Sequence, residues 1–90
     1  MTSREGQDGE KSSPLAAVVD VVVRTLVDHP EAVKVTESVR RGMTVIELST
    51  APGDMGKIIG RQGRTAAALR TLVALTGERH GVRAQLDIRD

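Results

Sequence analysis

The chain has 90 residues, enough for one domain with a modest core but not for a deep active site. It holds no Cys, which excludes disulfide scaffolds and thiolate metal centres, and no Phe, Tyr or Trp, which weighs against sheets that stack bases on aromatic rings. Its net charge of +1 hides a division: residues 1–30 carry Arg4, Lys11 and Arg24 against Glu5, Asp8, Glu10, Asp20 and Asp28, whereas residues 55–83 carry Lys57, Arg61, Arg64, Arg70, Arg79 and Arg83 against Glu78 alone. The basic half suits an anionic partner, and a solvated face is the plainer alternative.

Residues 1–12 are polar and without hydrophobic period, so they read as a disordered tail ahead of a domain over 13–90. They are too polar for a signal peptide. The apolar run 15–27 is interrupted by Asp20 and Arg24 and is too short to span a bilayer. A cytoplasmic protein without membrane insertion is the expectation. Ser13 and Pro14 supply a capping hydroxyl and a first-turn proline, and Leu15, Val18, Val19, Val22 and Leu26 follow at helical spacing. Asp28-His29-Pro30 ends that helix, since a residue before proline avoids helical geometry.

In the segment 32–40, Val33, Val35 and Val39 alternate with polar residues as in a strand. Arg41-Gly42 is a turn, and the segment 43–50 is a second strand, giving an antiparallel hairpin. Pro52-Gly53 breaks the chain, and Asp54 is placed to cap a short helix over about 55–59. A longer helix is expected from the next glycines to about residue 76, with Ala66, Leu69, Leu72, Val73 and Thr76 inward and Gly77 as its stop. The last strand alternates Val82, Ala84, Leu86 and Ile88 inward with Arg83, Gln85 and Asp87 outward. The order α-β-β-α-α-β predicts an α+β fold with helices on one face of a three-stranded sheet.

The break between the last two helices reads GKIIGRQGR. Gly60 and Gly63 admit backbone angles closed to other residues and leave no Cβ in the way of a ligand. The amides near Gly63 and Arg64, at a helix start, are expected to point outward with the positive end of the helix dipole, a geometry that accepts phosphate. Lys57, Arg61 and Arg64 add charge, Gln62 adds neutral donors, and of Ile58 and Ile59 one can face the core while the other floors an apolar groove. Charge beside an apolar floor suits single-stranded nucleic acid better than a small phosphate metabolite. Alternatively, the glycines only permit a tight turn with arginines as surface, but one glycine suffices for that.

Competing motifs lack their context. Gly53 and the Gly56-Lys57 pair are too close for a P-loop, and Ile58 stands where Ser or Thr would hold magnesium. Gly56, Gly60 and Gly63 lack dinucleotide-fingerprint spacing. His29 and His80 have no metal-site companions. No cofactor is implied, and a phosphate-using enzyme has little support.

IIGRQGR resembles the IIGxxG signature of the KH domain, whose glycine loop clamps about four nucleotides of backbone. A helix and strand ahead of the strand–helix–helix–strand core resembles the bacterial, type II arrangement. Over about residues 15–89 the chain is similar to the small stand-alone bacterial KH proteins of the KhpA family, through LVDHPEAVKV, APGDMGKIIGRQGRTAAALRTLV and the final strand. The resemblance implies a cytoplasmic protein without catalysis that binds single-stranded RNA, as a chaperone or post-transcriptional regulator. It also implies a homodimer, or a heteromer with a larger KH-domain protein of the Jag/KhpB type. By motif position Gly60, Arg61, Gln62 and Gly63 form the clamp, Ile58 and Ile59 belong to the groove, and Lys57 and Arg64 flank it. A protein-interaction adaptor that mainly dimerises with a KH partner is the alternative, through Ala67, Thr71 and Ala74 on the longer helix.

Overall fold

A computed structural model describes residues 14–89, so the tail expected over 1–12 and the Ser13 cap lie outside the described residues. Helix α1 spans Pro14–Leu26. Strands β1, Lys34–Arg40, and β2, Met43–Ser49, form the hairpin. The short helix α2 covers Met55–Ile59, α3 covers Arg64–Arg79, and β3 covers Arg83–Arg89. The expected α-β-β-α-α-β order is therefore the observed one.

The sheet runs β1-β2-β3, with β1 antiparallel and β3 parallel to the central β2. Register sets which residues share a face. Val35, Leu48 and Ile88 lie in one row and Glu37, Ile46 and Leu86 in the next. The apolar members of these rows meet Leu15, Val19 and Val23 of α1, Ile58 of α2, and Leu69 and Val73 of α3 in one core. With no aromatic ring available, aliphatic side chains alone fill it, and Val19, Val23, Ile46, Leu48 and Ile58 are completely buried. The other face of the sheet carries Thr36, Glu47, Asp87 and Gln85, with Val45 buried on the central strand.

Several expectations change with packing, among them Val82, which is 39% exposed because β3 begins only at Arg83. Val39 points the same way as Val35 yet is 66% exposed, because β1 is an edge strand that runs on past the helices. Leu26 is also exposed, and α1 is held by Leu15, Val19 and Val23 instead. Gly77 does not stop α3, which continues to Arg79. A Cβ at Gly77 would lie 2.8 Å from the Ala84 Cβ and 2.9 Å from the Val82 carbonyl oxygen, so this glycine lets helix and strand approach. The helix ends instead in a Schellman turn: the Val82 N–H donates to the Gly77 carbonyl (2.9 Å), the Gly81 N–H to that of Glu78 (3.1 Å), and Gly81 has φ +74°. The hairpin turn has positive φ at both central residues, Arg41 (53°) and Gly42 (78°). That geometry favours Asn-Gly, so an arginine there is held at a conformational cost of roughly 1 kcal/mol.

Candidate nucleic-acid interface

Helix α2 closes with the Gly60 N–H donating to the Gly56 carbonyl at 2.9 Å. At Gly60 the chain turns out of helical geometry, with φ 77° and ψ 173°. A side chain there would strike Thr65, whose Cβ would be 2.6 Å and whose backbone nitrogen 2.9 Å from an added Cβ. Gly60 is thus required twice, for its angle and for space. Gly63 has φ 73° with open space around it, so only its angle is special. Between them Gln62 also has positive φ, 59°, which lifts the Arg61-Gln62 tip into solvent.

The loop spends some of the donors that the sequence leaves open. The Gly63 N–H donates to the Gly60 carbonyl at 3.1 Å, and the Arg64 N–H donates to that of Arg61. These two amides therefore shape the loop rather than wait for a ligand. What faces outward is the positive end of the α3 dipole, ringed by the exposed side chains of Arg61, Gln62 and Arg64. Among the described residues no acid pairs with Arg61 or Arg64.

The remaining expected site residues divide. Ile58 is 0% exposed and belongs to the core beneath the loop, while Ile59 is 38% exposed. Lys57 is not a free cation. Its Nζ lies 3.2 Å from Asp28 and 3.8 Å from Asp54, at the junction of α1 and α2.

Asp54 explains that junction. It makes no side-chain capping bond to α2, contrary to the sequence expectation. Its carboxylate accepts instead the backbone N–H groups of Asp28 (3.2 Å) and His29 (2.9 Å), and so ties the end of α1 to the start of α2. Burial on its own would raise the carboxyl's pKa. The two backbone donors, with the charges of His29 and Lys57, outweigh it and hold the group below the usual carboxylate range. His29 belongs to the same helix stop, and its ring pairs with Glu31 at 3.4 Å.

Arg70 enters as a residue the motif did not single out. With Ala84, Gln85 and Leu86 it lines a shallow hollow of about 400 Å³ between α3 and the free edge of β3. Its sequence signal was its place among the six cations of 55–83. Arginine and an amide side chain beside an exposed strand edge extend the polar, cationic surface away from the loop.

Comparison with known proteins points to one family. The family model described as KhpA/KhpB, KH domain, matches residues 16–88. A protein of Halalkalibacterium halodurans named RNA-binding protein KhpA is 45% identical over 76 residues, which is 84% of this chain and 100% of the relative. Proteins of the same name from Mycobacterium bovis (53% identical; 79% of this chain, 91% of the relative) and Aquifex aeolicus (42% identical; 84% and 96%) are also similar.

Proposed function

The chain belongs to the KhpA/KhpB KH-domain family, and on that premise we propose that it holds single-stranded RNA at the Gly60–Gly63 loop. The observation that carries this reading is the pair of exposed arginines, Arg61 and Arg64, without acid partners among the described residues, on a loop with glycine at both ends. A sugar-phosphate backbone fits against such a loop because no Cβ projects from its ends. Arg61 and Arg64 neutralise phosphate charge, Gln62 donates hydrogen bonds, and Ile59 gives a base an apolar footing. The curated relatives bear the name RNA-binding protein, which agrees with this chemistry.

The protein acts without catalysis, in the cytoplasm, as an RNA chaperone or post-transcriptional regulator. It works as a homodimer or beside a larger KH-domain protein of the Jag/KhpB type. A second reading, that of an adaptor whose main role is that pairing, is favoured by the outward face of α3. There Leu75 is 54% exposed beside the exposed Ala67, Thr71 and Ala74.

Replacing Arg61 and Gln62 together by Asp separates the readings. Two negative charges then stand where phosphate lies, on side chains with little packing to lose. RNA binding is expected to be lost, with stability within about 0.5 kcal/mol of the parent. A folded variant that binds RNA undiminished refutes the clamp. Lost partner association with intact RNA binding favours the adaptor.

A further inference from the structure

The cations of the described chain sort into two groups. Arg24, Arg40, Lys57 and Arg89 are paired with acids. Lys34, Arg41, Arg61, Arg64, Arg70, Arg79 and Arg83 have no acidic partner among the described residues. Lys34 lies apart, in the row of Ser49 and Arg89 at the opposite end of the sheet, whereas the arginines of the second group begin at the glycine loop, continue with Arg70 beside the free edge of β3, and end toward the hairpin end of the sheet. There the register sets Arg40, Met43 and Arg83 in one row, and Arg41 follows at the tip of the turn. Strands about 4.8 Å apart put the backbones of Arg40 and Arg83 within about 10 Å of each other. Helix α3 runs from the glycine loop to the Schellman turn that starts β3, so about 24 Å separates this cluster from the loop.

Arg41 carries a second, independent observation. It occupies a positive-φ turn position where Asn or Gly relieves strain, and it gains no ion pair or hydrogen bond within the described chain in return. Its charge is unused by the fold. Met43, half-buried, lies between Arg40 and Arg83, so the row offers an apolar strip flanked by guanidinium groups. Glu78, at the end of α3, is the nearby acid in sequence, against Arg79 and Arg83 on either side of the turn.

We propose that Arg41 and Arg83 form a second phosphate-binding site, which takes up a longer RNA strand after it leaves the glycine loop along the edge of β3 past Arg70. This rests on the RNA-binding reading above and deepens it. The loop holds a short strand by itself, and the hairpin end adds affinity only to strands long enough to reach it. RNA is favoured over an acidic protein because the unpaired arginines line up with the loop along one strand edge.

The test compares full-length protein with the variant Arg41→Asn, Arg83→Gln, using oligouridine of about four and about sixteen nucleotides across a salt series. Asn suits the turn geometry and Arg83 is exposed, so the variant is expected to melt no lower than the parent. Each phosphate contact adds about 0.7 to the slope of log affinity against log salt for a single strand. The longer oligomer is therefore expected to bind several-fold more weakly to the variant, with a slope shallower by about 1.4, while the short one binds as before. An unchanged slope with the long oligomer overturns this inference alone. Equal weakening for both lengths also overturns it, since the arginines then act on the loop or the fold. So does a change of oligomeric state with RNA binding intact, which assigns them to a protein partner. Parent protein that binds neither length refutes the RNA reading itself.

Discussion

Gly60 and Gly63 share a motif but not a constraint, and substitution separates them. Alanine at Gly63 meets only an unfavourable angle, a cost of roughly 1–2 kcal/mol. Alanine at Gly60 meets the same kind of angle and also the Thr65 backbone, so its urea midpoint is expected to fall further. Equal losses would show that Thr65 gives way freely. Asp54 makes a prediction with a pH signature. Its folded pKa is depressed, so its stabilising effect is present above the unfolded-state pKa and is lost as pH falls through the folded value. Asp54→Asn is therefore expected to unfold at lower urea than the parent near neutral pH, with the gap narrowing in acid. A gap that persists unchanged at low pH would assign the loss to shape rather than charge. Lys57, engaged with Asp28 and Asp54, is expected to affect stability more than RNA binding when changed to Ala.

At the scale of elements, the meeting of α3 with β3 is decided by one residue. A glycine in a helix interior costs about 1 kcal/mol relative to alanine, so Gly77→Ala stabilises if the glycine has no packing role. The 2.8 Å approach of Ala84 argues for the opposite sign, a net loss within the roughly 1–3 kcal/mol range of overpacking. The sign of the change in unfolding free energy checks it. The loop makes its own element-scale prediction. With Lys57 occupied, two arginines remain to neutralise phosphates there, so a four-nucleotide strand is expected to show a salt slope near about −1.4. A slope unaffected by replacing Arg61 and Arg64 with Gln would detach the loop from phosphate binding.

Across the whole molecule, one aliphatic core supports both the sheet and the glycine loop. Ile58 is packed with Val19, Val23, Ile46 and Leu48, so the base of the loop is as rigid as the core itself. Ile58→Ala is expected to cost about 2–5 kcal/mol in stability, as buried isoleucines do. Any loss of RNA affinity at a temperature where the variant is folded then measures how far the loop depends on that footing. Ile59→Ala, at the surface beside it, is expected to weaken RNA binding with little change in melting. The reverse pattern would place the ligand-facing isoleucine wrongly.

Local signals carried much of this into the sequence. Helical and strand periods, the Pro-Gly and Arg-Gly turns, and two glycines among cations depend only on neighbouring residues, so the element order and the loop were legible there. The α-β-β-α-α-β order and the three-stranded sheet followed from them. What stayed hidden depends on residues brought together from far along the chain. Asp54 is a plausible cap until the amides of Asp28, 26 residues away, and His29 take its carboxylate. Lys57 is one more cation of the loop until α1 sets Asp28 beside it. Nothing local tells Ile58 from Ile59, or shows that Gly77 is pressed against Ala84 rather than ending a helix. The parallel pairing of β3 with β2 likewise sets Arg83 in line with Arg40, 43 positions earlier. Sequence by itself determined the elements and the residue types of the loop, because both are short-range. Only tertiary packing decided which charges are consumed within the fold and which keep no acid partner among the described residues.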